Sequence, residues 1–218
     1  MKKIAVILSG CGVYDGSEIH ETVLTLLAIE QNNASYRCFA PNIAQHHVIN
    51  HLTGEVSKNE SRNVLVESAR IARGDVEDLC ELRVQDYDAL IVPGGFGAAK
   101  NLCNFALDSD NYTVNEQVLS ACQAFAKADK PAGYMCIAPA MLPIIYPKGV
   151  QGTVGTDAGT ASLITAKGLI HKNCNVDDIV VDQANKLVST PAYMLATSIS
   201  EAALGINNLV KNVLVLAK

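Results

Sequence analysis

The chain has 218 residues and a formal net charge of -5; hydrophobic residues make up 49% of it but aromatic residues only 5%. This length suits one α/β domain, which we place over residues 1–218, and the aliphatic-rich composition is typical of strands buried on both faces. The net negative charge and the lack of a basic, aromatic-rich stripe argue against a nucleic-acid partner. No run approaches the ~20 apolar residues that cross a bilayer, so no membrane partner is expected.

Seven cysteines are present, but their number is odd and no CxxC pair occurs. A disulfide framework normally needs an even number of paired cysteines in an oxidising compartment. The cysteine pattern therefore favours a reducing compartment, and we expect the protein to be cytoplasmic.

The first part of the chain predicts a βαβ unit. A buried strand over Ile4–Ser9 is followed by the glycine-rich loop Gly10–Gly16 and by a helix whose expected N-cap is Ser17. A second strand covers Tyr36–Ala40, and Pro41 ends it. The apolar residues expected on the buried face of the first helix are Ile19, Val23, Leu26 and Leu27.

The next segment, 43–74, is polar and contains three histidines. His47 and His51 have the i, i+4 spacing of a shared ligand face, and His46 precedes them. No nearby cysteine, aspartate or glutamate completes a metal site at a familiar spacing, so we predict a polar surface helix and no metal site here. A further helix is predicted over Asn63–Arg73.

Strands and helices continue to alternate along the rest of the chain. This order predicts a mainly parallel, flavodoxin-like sheet with helices on both faces and with ligands at the carboxyl ends of the strands. The predicted strands are Asp88–Val92, Pro131–Met135, Gly152–Val154, Ile179–Val181 and Leu187–Ser189, and the predicted helices are Asn115–Ala128, Ala158–Lys167 and one starting near Met194.

Cys136 stands where an apolar strand stops before the helix-like run Ala138–Pro143. A sharp strand-to-helix turn exposes a side chain at the sheet edge, and free N–H groups at a helix start stabilise a thiolate. We therefore expect Cys136 to be a nucleophile whose pKa lies below the ordinary ~8.5 of free cysteine. Cys11, in the glycine loop at the end of the first strand, is a second candidate thiol for the same pocket.

Gly94 and Gly95 follow the strand that ends at Val92. Adjacent glycines let backbone N–H groups approach a reacting oxygen without interference from a Cβ atom. This segment is the candidate oxyanion site, together with the N–H of Ile137. The patterns of three spaced glycines and of a phosphate loop are absent, so no nucleotide cofactor is predicted.

Four further motifs occur along the chain, at Ile7–Glu21, Gly94–Leu102, Gly133–Ala140 and Thr190–Ala196. Several long motifs in one order are more specific than any single motif. Together these segments resemble the ThiJ/PfpI superfamily, relatives of the class I glutamine amidotransferases, and within it the ElbB-like glyoxalases.

The resemblance implies a flavodoxin-like fold, a homodimer, and a cysteine nucleophile faced by a glutamate of the first helix. By motif position that glutamate is Glu21. Glu18 lies one helical turn earlier on the same face and stays the second candidate. Amidotransferases often place a histidine directly after the nucleophile, whereas Ile137 follows Cys136 here. A Cys-His-acid triad and glutamine amidotransfer are therefore disfavoured.

The activity implied by the resemblance is glyoxalase chemistry on glyoxal or a related small 2-oxoaldehyde. Cys136 supplies the thiol and Glu21 moves the proton, so neither metal nor glutathione is needed. The alternative from another class is a stress-response or redox-sensing protein, because a reactive thiol is also oxidised readily. Members of this group are also linked to isoprenoid biosynthesis.

Overall fold

The computed structural model describes residues 1–217, in which most of the predicted strands and helices occur in the predicted order with shifted boundaries. The strands are β1 (Lys3–Ile7), β2 (Ser35–Ala40), β3 (Val76–Asp78), β4 (Ala89–Val92), β5 (Ala132–Met135), β6 (Gln151–Gly152), β7 (Ile170–His171), β8 (Val180–Asp182) and β9 (Leu187–Thr190). The α-helices are α1 (Ile19–Gln31), α2 (Val64–Ile71), α3 (Glu116–Lys127), α4 (Leu142–Ile145), α5 (Ala158–Ala166) and α6 (Ile199–Leu216).

Seven strands form the central sheet in the order β3-β2-β1-β4-β5-β9-β8. Each pair of neighbours is parallel except β8 and β9, which are antiparallel. The short strands β6 and β7 pair separately. The prediction of a mainly parallel, flavodoxin-like α/β sheet is confirmed.

Strand β1 shows why the sheet is covered on both faces. Ile4 and Val6 belong to the apolar core that also contains residues of α1 and α6, whereas Ala5 and Ile7 belong to the core on the α3 side. All four are fully buried. Successive side chains of a strand point to opposite faces, so a continuous apolar run is buried only when helices lie on both sides.

Helix α1 contradicts the predicted apolar stripe. Ile19, Val23 and Leu27 are 42–49% exposed, and of the four predicted residues only Leu26 is buried. The helix buries Glu21 instead. Its inner face is partly polar because it lines the site described below, which hydrophobic periodicity cannot indicate.

The predicted N-cap of α1 is also one residue too early. Glu18 is the N-cap, and its Oε2 accepts a hydrogen bond from the Glu21 N–H at 2.6 Å. The Ser17 hydroxyl oxygen accepts one from the Ser9 N–H at 2.8 Å. Ser17 therefore ties the glycine loop to the end of the strand rather than capping the helix.

Several local features depart from the predicted order. Strands β3 and β7 were not predicted, since each is too short to show a periodic pattern. A π-helical turn at Ala98–Leu102 follows the glycine segment. The last helix begins at Ile199 rather than near Met194, because Met194 ends a 3-10 turn and Ser198 caps the helix.

None of the helices in residues 1–217 is long and apolar enough to cross a membrane.

Candidate active site

The candidate site lies at the carboxyl ends of β4 and β5, where the parallel sheet predicts ligands. Cys136 directly follows β5 and has a φ of +59°, a left-handed conformation that is unfavourable for a non-glycine residue. Its N–H donates to the Thr190 carbonyl at 3.0 Å, which anchors the turn to β9. The strained turn places the sulfur at the sheet edge, and the residue is only 8% exposed.

Gly94 brings the backbone after β4 against the thiol. A Cβ atom at this position would lie 2.4 Å from the Cys136 Cβ, 2.8 Å from its Sγ and 2.8 Å from the Glu21 Oε2. No larger residue fits this position without a shift of the site. Gly95 has a φ of +92° and would meet the backbone N of Glu18 at 2.4 Å.

Glu21 is fully buried and its carboxylate is held by two backbone donors. Oε2 accepts from the Gly94 N–H at 2.8 Å, and Oε1 accepts from the Tyr193 N–H at 3.1 Å. The Cys136 thiol is also within hydrogen-bonding reach of this carboxyl group. Burial raises the pKa of Glu21 from 4.5 to about 7, and the negative charge of Glu18 adds to the rise, while the N–H donors oppose it.

The expected low pKa of Cys136 is contradicted. Burial raises its pKa well above the ordinary thiol value, and the charge of Glu21 raises it further. The N–H groups of Gly95 and Ile137 favour the thiolate but do not outweigh these effects. Two negative charges this close in a buried site repel each other, so Cys136 and Glu21 together keep at least one proton at neutral pH.

The three backbone groups of the predicted oxyanion site do not have the same role. The N–H groups of Gly95 and Ile137 face the Cys136 sulfur. The Gly94 N–H is occupied by Glu21. An oxyanion formed beside the sulfur therefore has Gly95 and Ile137 as its nearest free donors, whereas Gly94 positions the acid.

The geometry distinguishes the two candidate glutamates. Glu21 contacts the thiol, and Glu18 caps α1 and lines the cavity beside Cys136. The Oε1 of Glu18 also lies 3.9 Å from Nδ1 of His20, an exposed residue. The motif assignment of Glu21 thus agrees with the register of the helix.

Tyr193 is a site residue that the sequence reasoning did not single out. Its N–H holds Glu21, and its hydroxyl lies 3.0 Å from the His20 Nδ1. It also lines the cavity and lies within the 3-10 turn Ala192–Met194, which follows β9. Its position just past a strand that neighbours β5 was the signal available in the sequence.

Cys11 does not share the cavity of Cys136. It is absent from the described residues that line that cavity, and its strongest charged neighbours are Glu67 and Arg70 of α2. Burial and the charge of Glu67 raise the pKa of its thiol. The expectation that Cys11 faces the pocket is therefore not met, because the glycine loop turns its side chain towards α2.

The predicted surface helix around the three histidines is wrong. His46, His47 and His51 lie in irregular chain between β2 and α2. The His51 Nδ1 donates to the Ile49 carbonyl at 3.0 Å, and its Nε2 accepts from the Tyr14 N–H at 3.2 Å. Among residues 1–217, no group of three or more His, Cys, Asp or Glu side chains is placed to hold a metal ion.

Comparison with known proteins assigns the family. No family model matches the chain. The rat protein named "ES1 protein homolog, mitochondrial" is 46% identical over 221 residues, covering 97% of this chain and 83% of its own length. The human "Glutamine amidotransferase-like class 1 domain-containing protein 3, mitochondrial" is also 46% identical, covering 97% of this chain and 82% of its own length. This chain belongs to the glutamine amidotransferase-like class 1 family.

Solved structures support the same assignment. An isoprenoid biosynthesis protein with an amidotransferase-like domain from Ehrlichia chaffeensis superposes with a TM-score of 0.93 at 39% identity, over the full length of both chains. A ThiJ/PfpI domain protein from Brachyspira murdochii, at 13% identity, covers 96% of this chain and 94% of its own with a TM-score of 0.57, which shows the shared fold alone. The predicted relationship to the class I glutamine amidotransferases is confirmed, and the chain shares its fold with ThiJ/PfpI proteins.

Proposed function

We propose that this glutamine amidotransferase-like protein is a cofactor-independent glyoxalase that converts glyoxal or a related small 2-oxoaldehyde to the 2-hydroxy acid. The observation that carries the proposal is the fully buried carboxyl of Glu21 beside the Cys136 thiol, where burial raises its pKa to about 7. A general base works best when its pKa is close to the operating pH. Glu21 meets this condition next to a nucleophile.

The first step is addition of the thiol to the aldehyde. The Cys136 sulfur bonds to the aldehyde carbon, while the thiol proton passes through Glu21 to the former carbonyl oxygen. The product is a hemithioacetal. The N–H groups of Gly95 and Ile137, which face the sulfur, are placed to stabilise the oxyanion before it is protonated.

The second step is an internal proton transfer followed by hydrolysis. Glu21 removes the proton on the carbon bonded to sulfur and returns a proton to the neighbouring carbon, while the hydroxyl proton of the hemithioacetal moves to the oxygen of that neighbouring carbon, which gives a 2-hydroxy thioester of Cys136. Water then cleaves the thioester to the 2-hydroxy acid and restores the thiol. One water molecule is consumed for each 2-oxoaldehyde, and no external oxidant or reductant is required.

The geometry gives less support to the alternatives. A redox sensor relies on an exposed thiol of low pKa, whereas Cys136 is 8% exposed and its pKa is raised. None of the described residues that line the cavity is a histidine, which disfavours amidotransfer. The Ehrlichia protein is described as an isoprenoid biosynthesis protein, and a link of this chain to that metabolism belongs to the same proposal.

The proposal includes the quaternary state and the compartment. We assign a homodimer, as the superfamily resemblance implies. A reducing cytoplasm agrees with the seven cysteines, all of which are free in this structure. The rat and human relatives are named as mitochondrial proteins, so fractionation of the native cells is the measurement that tests the compartment.

The test compares purified wild-type protein with Cys136→Ala and Glu21→Gln. Each is assayed with glyoxal, methylglyoxal, glutamine and a peptide ester, and the 2-hydroxy acid is quantified. We expect the wild type to convert the 2-oxoaldehydes only, and Cys136→Ala to abolish this turnover. Glu21→Gln keeps the shape of the side chain but cannot accept the carbon-bound proton, so turnover falls roughly a hundredfold or more.

The matched control is Glu30→Gln, the same substitution at an exposed position of α1. It is expected to leave turnover unchanged. Glu21→Ala should impair turnover as well, because it also removes the proton acceptor. Near-normal turnover of Glu21→Gln, or turnover that survives in Cys136→Ala, contradicts the proposed mechanism.

A further inference from the structure

The cavity beside Cys136 is much larger than glyoxal requires. Its volume is about 400 Å³. At ~30 Å³ for each water-sized group, the four non-hydrogen atoms of glyoxal fill roughly 120 Å³. The remaining space is that of a site for a larger organic ligand, since small-molecule pockets span ~300–1,000 Å³.

The extra space is lined mainly by apolar side chains. Phe105 is buried, while Phe96 is 46% exposed and stands against bulk water. Ala99 and Ala106 have small side chains, which leave the volume of the cavity unfilled. The apolar side chains that line the cavity, apart from Ile137, are Val13, Phe96, Ala99, Phe105, Ala106 and Met194.

The described residues that line the cavity include no cationic side chain that could bind an anionic substituent. Among the described residues that line it, Glu18 is the only Asp, Glu, Lys or Arg, and no histidine is present. Glu18 is buried, with one oxygen engaged by the Glu21 N–H. A carboxylate or phosphate on the substrate would meet acidic groups without any cationic partner, which is unfavourable in a poorly hydrated site.

We infer that the preferred substrate is a neutral 2-oxoaldehyde whose ketone carbon carries an apolar group of about the size of a phenyl ring. The inference rests on the proposed function for the reaction at the aldehyde carbon. The aldehyde bonds to Cys136, and the apolar group occupies the space between Phe105 and Met194. Burial of such a group from water supplies binding that glyoxal lacks.

The first test compares phenylglyoxal, methylglyoxal and glyoxal. For each aldehyde, kcat/KM is divided by the rate of hemithioacetal formation with free 2-mercaptoethanol, which removes differences in intrinsic reactivity. We expect the normalised value for phenylglyoxal to exceed that for glyoxal at least tenfold. Equal or lower values for phenylglyoxal overturn the inference.

A pair of variants at adjacent positions locates the effect. Ala106→Leu adds volume inside the cavity, so it should lower the ratio of phenylglyoxal to glyoxal activity at least fivefold. Leu107→Ala alters the next side chain, which is 42% exposed and outside the cavity lining, and should leave the ratio unchanged. An unchanged ratio in Ala106→Leu contradicts the assigned position of the substituent.

A second test does not depend on turnover. Alkylation of Cys136 by N-phenyl-iodoacetamide and by iodoacetamide is followed by peptide mass spectrometry, with the exposed Cys80 of the same molecule as internal reference. We expect the phenyl reagent to favour Cys136 over Cys80 at least fivefold more than iodoacetamide does. Absence of this preference overturns the inference even where glyoxal is converted.

The charge requirement has its own comparison. Iodoacetate and iodoacetamide have nearly the same shape, so their rate ratio at Cys136, divided by the same ratio for free 2-mercaptoethanol, reports the cost of a negative charge in the cavity. We expect iodoacetamide to be favoured and Glu18→Gln, which still has a side-chain oxygen for the helix cap, to reduce that preference. If the phenyl preference is found but no 2-oxoaldehyde is converted, the proposed function fails and the apolar, neutral cavity stands.

Discussion

The carboxylate of Glu21 accepts a hydrogen bond from the Gly94 N–H at 2.8 Å, which joins the first turn of α1 to the end of β4. The same backbone segment is in contact range of the Cys136 side chain. The acid is therefore fixed by a residue that also sets its distance from the thiol. Gly94 shares the positioning of Glu21 with the Tyr193 N–H, which donates to the other carboxylate oxygen.

Gly94→Ala is expected to disrupt the site and to lower the free energy of unfolding by several kcal/mol, because the added methyl overlaps the Cys136 side chain and the Glu21 carboxylate. Urea denaturation measures the change, and 2-oxoaldehyde turnover should be lost with it. Gly159→Ala is the control, since its new Cβ meets its nearest neighbour at an ordinary 3.5 Å in helix α5. Equal stability of the two variants contradicts the close approach described for Gly94.

Glu21 should make stability depend on pH. Its pKa is raised from 4.5 to about 7 in the folded protein, so the folded state keeps the proton that the unfolded chain releases. The resulting stabilisation is complete below pH 4.5 and is lost as the pH rises to about 7, by on the order of 3 kcal/mol. We expect the free energy of unfolding of the wild type to fall over this interval relative to Glu21→Gln. Chemical denaturation at several pH values tests this, and a pH-independent difference speaks against the raised pKa.

The rate of Cys136 alkylation by iodoacetamide should keep increasing above pH 8.5, because burial and the Glu21 charge raise the pKa of the thiol. Glu21→Gln removes that charge, so its pH–rate profile should shift to lower pH. Peptide mass spectrometry distinguishes Cys136 from the exposed Cys80. A wild-type profile that levels off below pH 7 contradicts the raised pKa and restores the expectation of a stable thiolate.

The proposed homodimer can be tested on helix α1. Ile19, Val23 and Leu27 follow one another at i, i+4 spacing and are all exposed, which is an apolar stripe without a partner in the described chain. We expect light scattering to give the mass of a dimer for the wild type and of a monomer for Val23→Glu. Val66→Glu, at an exposed valine of α2, should remain dimeric. A monomeric wild type rejects the proposal.

The sequence alone determined the order of strands and helices and the placement of Cys136. A continuous apolar run such as β1 is stable only between two layers, so composition and alternation predict the parallel sheet. An abrupt end of β5 before Cys136, and two glycines after β4, likewise have few explanations other than a turn at the sheet edge. Motif resemblance then identified Glu21, which periodicity alone leaves on an apparently solvated face.

Only the tertiary structure decided the roles of the residues that meet from distant segments. The charge state of Cys136 depends on Glu21, which lies 115 positions earlier in the chain, and on how completely both are buried. The direction of the Cys11 side chain and the exposed stripe of α1 have no local signature, because each depends on which element packs beside it. Local sequence fixes backbone conformation and spacing, whereas burial and electrostatics are sums over neighbours that are brought together only by the complete fold.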